Sequence, residues 1–315
     1  MNNRSFRFNP VHLNRTYGVT YVIQSAGVEQ VISYEITVSC TKRLPGDMFL
    51  FEINKGQVYI NNQAPEKMID KLTEQCGKVL YPLQIRVNSA GQFSGIVNQA
   101  QIAAAWEGVK PALQQYYTGE ITEQIMSYMD LAVSSEPHIY RSLCRDWFMA
   151  LYFADLYQPG SDIMKRSLTA ALPVIPYTTP VLFNVTQQPV QHNTASGSLV
   201  LQQRGNCSDP RSVEDIVAGK EIPLSQQLHG IHTPLKGQVD ISYKLYQTDY
   251  SINAITGECS LQLAPGEDKK VTFTVYHLRE KDKAQAPVIP VLAEEQEPAG
   301  KKKKRFSFFF NSGEN

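Results

Sequence analysis

The one closely spaced histidine pair in the sequence is His229 and His232, in the run Leu-His-Gly-Ile-His-Thr-Pro. Histidine is a common zinc ligand, but a zinc site needs a third and usually a fourth ligand. The carboxylate of Asp240 is eight residues beyond His232, and Gly230 and Pro234 disfavour a helix that would fix the histidine spacing. We therefore interpret this pair as two solvated loop histidines, and predict no metal site.

Candidate nucleophiles lack the surroundings that catalysis requires. The run Ala195–Ser198 lacks the first glycine of a Gly-x-Ser-x-Gly elbow. Walker, Gly-x-Gly-x-x-Gly and His-Glu-x-x-His motifs are absent. Cys144 lies beside Arg145, and a cationic neighbour can lower a thiol pKa, yet a cysteine in an apolar helix is usually packed in a core. The sequence predicts no catalytic residue, no cofactor and no enzyme activity, with an enzyme of dispersed site residues as an alternative.

The strongest candidate binding feature is the C-terminal tail, residues 301–315. Five consecutive cations precede four phenylalanines in this tail. Each cation near an anionic bilayer contributes on the order of 1 kcal/mol, and aromatic rings bury in the interface. The predicted contacts with a partner protein or a membrane are Lys301, Lys302, Lys303, Lys304, Arg305, Phe306, Phe308, Phe309 and Phe310.

Residues 301–308, Lys-Lys-Lys-Lys-Arg-Phe-Ser-Phe, resemble the basic effector segment of the MARCKS family of membrane-surface proteins. The resemblance ends at Phe308, because the family continues with lysines and this chain with Phe309 and Phe310. It implies adsorption to an anionic membrane, which phosphorylation of Ser307 would weaken by adding negative charge. Insertion of the phenylalanines into a groove of a partner protein, and a tail with no dedicated role, are the alternatives.

Composition places the chain among soluble globular proteins. Of its 315 residues, 42% are hydrophobic and 19% charged. Thirty basic residues balance thirty acidic ones, whereas a nucleic-acid-binding protein usually has a basic excess. The N-terminus has no apolar signal region, and the five cysteines are widely spaced, which favours free thiols in a reducing compartment. We expect a cytoplasmic protein, with peripheral membrane attachment through the tail as an option.

Alternating and helical periodicities divide the chain into regions. Residues 1–279 are predicted to fold, with strands over 17–60, helices and a hairpin over 65–157 and strands over 180–278. Residues 280–300 are predicted as a flexible, acidic, proline-containing linker before the tail. The order predicts an α+β fold, in which a mainly antiparallel, curved sheet from N- and C-terminal strands packs on central helices. Two sheets joined by a helical hinge are the alternative.

Local signals give finer expectations. The strongly apolar segment 136–154 is predicted as one helix at the centre of the core. Residues 158–176 are predicted as a connector. Turn and helix signals predict hairpin turns at Ala26-Gly27, Lys55-Gly56 and Thr256-Gly257, a helix start at Pro65 and a kink or break at Pro111.

The preferred functional hypothesis is a non-enzymatic binding or assembly protein, such as an adaptor, a chaperone or a component of a larger complex. The 16 tyrosines and 13 phenylalanines favour protein partners, because aromatic residues are enriched at interfaces. The alternative is a carrier that holds an apolar ligand between a curved sheet and helices. Its element order is similar to that of lipoprotein-carrier folds of bacterial envelopes, and it requires a cavity between sheet and helices.

Overall fold

The computed structural model describes residue 6 and residues 8–158, 165–190, 198–224, 232–264 and 267–279. The described strands are β1 (Asn14–Ser25), β2 (Val28–Leu44), β3 (Met48–Ile60), β4 (Leu83–Val87), β5 (Phe93–Ile96), β6 (Arg166–Leu172), β7 (Val181–Val190), β8 (Ser198–Cys207), β9 (Lys236–Tyr246), β10 (Ile252–Ala264) and β11 (Glu267–His277). The described helices are α1 (Met68–Lys78), α2 (Gln99–Tyr116), α3 (Glu120–Val133), α4 (Glu136–Cys144), α5 (Trp147–Tyr152) and α6 (Val213–Val217).

All eleven of these strands belong to one antiparallel sheet, in the order β5-β4-β3-β2-β1-β11-β10-β9-β8-β7-β6. The N-terminal and C-terminal halves meet where β1 pairs with β11, from Tyr17 opposite His277 to Ser25 opposite Lys269. The prediction of a mainly antiparallel sheet with helices is confirmed. The alternative of two sheets joined by a helical hinge is wrong, because the β1–β11 pairing makes the sheet continuous.

The alternation seen in the sequence places one face of every long strand in a shared core. In β1, Tyr17, Val19 and Tyr21 are buried, and in the neighbouring β11 the buried residues include Phe273 and Val275. Period-two burial on paired strands puts these side chains on the same face of the sheet. The helices α4 and α5 cover this face, since Trp147 packs against Phe273 with ring centroids 5.7 Å apart.

The sheet curves around α4 and α5. Its edge strands, β5 and β6, are ten strand spacings apart, which corresponds to about 47 Å in a flat sheet. Nevertheless Phe93 of β5 and Leu168 of β6 line the same cavity beside these helices. Because a flat sheet would hold its edges too far apart to line one cavity, the two edges must bend towards each other.

The central apolar segment forms two helices, so the expectation of one helix over 136–154 is wrong. Helix α4 ends at Cys144, and α5 begins at Trp147. Asp146 is the N-cap of α5, where its carboxylate accepts a hydrogen bond of 3.0 Å from the backbone N–H of Met149. A capping carboxylate satisfies a helix-terminal N–H and favours a new helix start at this position.

Two expected hairpin turns lie inside continuous strands. Lys55-Gly56 falls within β3, where the register against β2 shifts between Tyr34 and Ile36. Thr256-Gly257 falls within β10, where a Cβ on Gly257 would lie 2.3 Å from the carbonyl oxygen of Asp240 on β9. Glycine permits close backbone approach as well as turns, and here the close approach explains its presence. The turn at Ala26-Gly27 does form, with positive φ at both residues.

Three further local expectations are corrected. Helix α1 begins at Met68 and not at Pro65. Helix α2 does not break at Pro111. The carbonyl of Glu107, which has no N–H partner at Pro111, lies on an exposed helix face where solvent can bond to it. The segment expected to be a connector contains β6, which is stabilised by pairing with β7. No helix within the described ranges is long and apolar enough to cross a membrane.

Candidate ligand-binding cavity

A cavity of about 260 Å³ lies between the α4–α5 region and the strands β6, β8 and β9. Its rim includes Tyr140, which is 37% exposed, and the exposed Thr169. Its floor includes Ile241 and Tyr243, each 1% exposed. Most of the lining is apolar, and includes Phe93, Leu143, Met149, Phe153, Leu168, Leu172, Ile241 and Tyr243. The cavity therefore leads from an accessible rim to an apolar floor inside the curved sheet.

Small side chains on facing elements create this space. Ala150 of α5, Ala154 just beyond it and Ala170 of β6 all line the cavity. Interiors are otherwise packed to the density of organic crystals, so larger residues at these positions would fill the gap. At the rim, the rings of Phe93 and Tyr140 stack with centroids 4.4 Å apart and join the edge strand β5 to α4.

Two buried amide side chains form a hydrogen-bonded relay, and the second of them, Gln203, lines the cavity. Gln203 on β8 donates a 2.8 Å hydrogen bond through Nε2 to Oε1 of Gln187 on β7. Gln187 in turn donates a 3.0 Å bond through Nε2 to the carbonyl oxygen of Leu156. Gln203 and Gln187 are 1% and 3% exposed, and Oε1 of Gln203 has no hydrogen-bond partner among the described residues. The relay thus ends in an unsatisfied acceptor beside the cavity.

Cys144 also lines the cavity, and the structure does not support a reactive thiol there. Burial raises the pKa of the Cys144 thiol, and this effect outweighs the lowering by Tyr140 and by the Arg145 guanidinium. A thiol with a raised pKa is less ionised at neutral pH. Because the thiolate is the reactive form, such a thiol reacts more slowly as a nucleophile. Cys144 contributes to the cavity as a small, largely neutral side chain. All five cysteines of the chain are unpaired.

The other side of α5 is filled with aromatic rings. The ring of Tyr152 packs edge-on against that of Tyr17 of β1, with ring centroids 5.2 Å apart. The hydroxyl of Tyr152 donates to that of Tyr17 at 3.2 Å, and Tyr17 donates to the carbonyl oxygen of Ile252 at 2.9 Å. Burial raises the pKa of Tyr17 to about 12, so this hydroxyl keeps its proton at neutral pH. The buried hydroxyls of Tyr17 and Tyr152 therefore both have hydrogen-bond partners within the protein.

A cluster of ionisable groups lies at the break between α4 and α5. Nζ of Lys55 is 4.0 Å from the ring centroid of Tyr34 and 3.8 Å from the carboxylate of Asp146. The hydroxyls of Tyr21 and Tyr34 are 3.3 Å apart, and burial raises the pKa of both. Lys55 neutralises the carboxylate that caps α5, so the cluster stabilises the helix break.

A second polar cluster contains serine, histidine and aspartate but not the geometry of a catalytic triad. Ser251 is fully buried, and its hydroxyl donates directly to the carboxylate of Asp249 at 2.6 Å. In a triad the serine hydroxyl bonds to histidine and must face the substrate. Nδ1 of His277 is 2.7 Å from the hydroxyl of Tyr246. The cluster joins the β9–β10 turn to the end of β11.

The structure tests few of the residues singled out from the sequence. All nine predicted tail contacts, Lys301 to Phe306 and Phe308 to Phe310, lie outside the described residues, as does His229. His232 is described and exposed. The described ranges hold no group of three or more His, Cys, Asp or Glu side chains that could bind a metal ion.

Sequence reasoning missed Gln187 and Gln203. A signal for Gln187 was available, because it continues the inward register of Val181, Phe183 and Val185 along β7. A polar residue at an inward position must find buried hydrogen-bond partners, which makes it a candidate site residue. The cavity itself has no such signal, since it depends on how closely the sheet edges approach.

Comparison with known proteins yields no sequence match and a weak structural likeness. No protein-family model matches the sequence, and no curated protein matches it significantly. Among solved structures, one of lipovitellin, concerned with lipid–protein interactions in that protein, aligns with a TM-score of 0.42 and 10% sequence identity. The alignment covers 86% of this chain and 25% of the lipovitellin chain, so this chain spans about a quarter of that protein.

Proposed function

We propose that the protein is a non-enzymatic binding protein that takes a small, mainly apolar ligand into the cavity beside α4 and α5. The observation that carries this proposal is the cavity of about 260 Å³, which is apolar inside and reaches an exposed rim. Ligand sites are typically concave and mainly apolar, with a few placed polar groups. This is the carrier hypothesis in a narrower form.

The size of the cavity limits the ligand. Pockets for drug-sized ligands measure roughly 300–1,000 Å³. At about 260 Å³ the cavity favours a single-ring compound or a short chain over a whole phospholipid. The ligand we propose is therefore compact, and most of its surface is apolar.

Thermal unfolding in the presence of a compact probe tests the proposal. Saturating p-cresol is expected to raise the Tm of the wild-type protein, because a ligand that binds only the folded state stabilises it. Ala150→Leu adds bulk inside the cavity and should abolish the shift, whereas Ala105→Leu, at an exposed position of α2, should preserve it. An absent shift in the wild type, or equal shifts in all three proteins, would contradict the proposal.

A second candidate function, assembly with other protein molecules, is favoured by exposed apolar side chains on α2 and α3. These are Val109, Tyr116, Ile121, Tyr128 and Leu131. Contiguous exposed apolar surface commonly marks an interface. The test is the mass in solution, which for an assembled protein exceeds the 35.4 kDa of one chain.

The prediction of membrane binding by the tail is separate. Deletion of residues 301–315, followed by a vesicle co-sedimentation assay, tests it.

A further inference from the structure

We infer that the ligand of the cavity is a neutral molecule with a hydroxyl or N–H group, and that this group donates a hydrogen bond to Oε1 of Gln203. The inference rests on the proposed function, and specifies which chemical class of apolar ligand the site selects. Three observations carry it: the direction of the amide relay, the burial of its last acceptor and the charges that line the cavity.

The direction of the relay is fixed by a backbone carbonyl. The carbonyl oxygen of Leu156 can only accept, so Gln187 must present its Nε2 to it at 3.0 Å. Oε1 of Gln187 then faces Gln203, which must present its own Nε2 at 2.8 Å. Exchanging the oxygen and nitrogen of either amide would place two acceptors or two donors together. The acceptor left over is therefore Oε1 of Gln203.

This leftover acceptor is a specificity element. Oε1 of Gln203 is buried and has no hydrogen-bond partner among the described residues, and the side chain lines the cavity floor. A buried acceptor without a partner is unfavourable, and a ligand that brings a donor removes that penalty. A site with such a group discriminates against an analogue that has a methyl group in place of the donor.

The lining charges exclude an acidic ligand. Among the described residues that line the cavity, Asp155 is the one that is charged, and Nη2 of Arg166 lies 3.1 Å from its carboxylate. Arg166 also donates to the backbone carbonyl of Asp155. A carboxylate ligand would meet no cation among the described lining residues and would lie near a second carboxylate, which is unfavourable in an apolar interior. The donor therefore belongs to an alcohol, a phenol or an amide.

Three probes of nearly the same shape test the inference by calorimetry or NMR titration: p-cresol, p-xylene and 4-methylbenzoate. Replacing the hydroxyl of p-cresol by methyl gives p-xylene, and replacing it by carboxylate gives 4-methylbenzoate. In the wild type we expect p-cresol to bind about three- to tenfold more tightly than p-xylene, the range expected for one net hydrogen bond. The benzoate is expected to bind most weakly.

Two variants locate the effect. Gln203→Met keeps the length of the side chain and removes the acceptor, so the preference for p-cresol over p-xylene should disappear. Gln202→Met is the matched control. Gln202 directly precedes Gln203 on β8, and its Nε2 donates a 3.0 Å hydrogen bond to Asp240 outside the cavity. The wild-type comparison remains decisive if Gln203→Met does not fold.

The outcomes separate the inference from the proposed function. Equal binding of p-cresol and p-xylene to the wild type overturns the inference and leaves the cavity as an apolar site. Tightest binding of the benzoate also overturns it. Binding of none of the three probes overturns the proposed function itself. A preference for p-cresol that survives Gln203→Met places the donor against another residue and overturns the role of Gln203.

Discussion

The two sides of α5 differ in how completely they are packed, although both face the same curved sheet. On the side of β1, β3 and β11, aromatic rings such as those of Tyr17 and Tyr152 pack edge-on with centroids 5.2 Å apart. On the side of β6, β8 and β9, alanines at 150 and 170 border a cavity of about 260 Å³. The first side has its tyrosine hydroxyls bonded within the protein, and the second ends in the unsatisfied Oε1 of Gln203.

Under the proposed function, the packed side of α5 serves stability and the cavity side serves binding. Close packing supplies dispersion contacts and removes apolar surface from water, so the aromatic side should carry most of the stability. Imperfect packing and an unsatisfied acceptor cost stability and are characteristic of functional sites. Four predictions test this division, from the largest expected effect to the smallest.

Truncation of a ring on the packed side should cost the most. Phe51→Ala is expected to lower the free energy of unfolding by about 3–5 kcal/mol, because Phe51 is fully buried against Phe8 and Phe153. Urea unfolding measures the change. The control is Leu168→Ala beside the cavity, where the side chain is only half-buried and the loss should be clearly smaller. Equal losses for the two variants would contradict the division.

Removal of one hydroxyl on the packed side should have an intermediate effect. Tyr17→Phe leaves the carbonyl of Ile252 and the hydroxyl of Tyr152 without their partner, which is expected to cost about 1–3 kcal/mol. Thermal or urea unfolding measures it. Tyr59→Phe, at an exposed position of β3, should change stability by less than about 0.5 kcal/mol. A Tyr17→Phe protein as stable as the wild type would show that the hydroxyl network is dispensable.

Larger side chains should cost less stability on the cavity side of α5 than on the packed side. Ala150→Leu places new methylene groups in the cavity and is expected to change the free energy of unfolding by less than about 1 kcal/mol. Val19→Phe, at a position 1% exposed on the packed side, should cost about 1–3 kcal/mol through overpacking. The measurement is again urea unfolding. A larger loss for Ala150→Leu than for Val19→Phe would mean that the cavity does not accept extra atoms.

Acidification should weaken a support of the cavity wall. Asp209 and Arg211 form a buried ion pair at 2.7 Å, and Nη2 of Arg211 bonds at 3.1 Å to the carbonyl of Pro180, a cavity-lining residue. Burial by itself raises the pKa of Asp209, but hydrogen bonds from Arg211 and from the Leu182 N–H outweigh it and hold the pKa below its usual value.

The sign of this effect follows from the lowered pKa. The unfolded carboxyl titrates near pH 4, so the pair stabilises the fold above about pH 4 and loses that contribution as the pH falls through the folded pKa. The difference in unfolding free energy between wild type and Asp209→Asn should therefore shrink between pH 6 and pH 3. A difference that is constant with pH would show that protonation of Asp209 is not involved.

The sequence reveals the strands far better than the site. Alternation in segments such as Tyr17 to Ile23 predicts half-buried strands, because period-two burial is a local property. The pairing of β1 with β11 joins residues about 260 positions apart, such as Tyr17 and His277, and no local pattern encodes it. The split of the central helix at Asp146 depends on a capping bond that competes with helix continuation, and apolar periodicity does not reveal that competition.

The carrier hypothesis requires a cavity, but the residues that form it were beyond the reach of the sequence for a related reason. Its walls come from α4, α5, β6, β8 and β9, and β6 lies in a segment expected to be a connector. Alanines at 150 and 170 look like ordinary core residues until the elements that carry them face each other. Likewise, an orphaned acceptor on Gln203 becomes visible only when the direction of the amide relay is known.

Methyl NMR of the methionines, with p-cresol as the probe, tests the central claim most directly. Met149 lines the cavity and is 5% exposed, Met126 on α3 is 4% exposed and does not line it, and Met68 is 61% exposed. The cavity account predicts that p-cresol shifts the Met149 methyl resonance and gives nuclear Overhauser effects to it, with Met126 and Met68 unchanged. Effects on Met68 or Met126 without an effect on Met149 would contradict it.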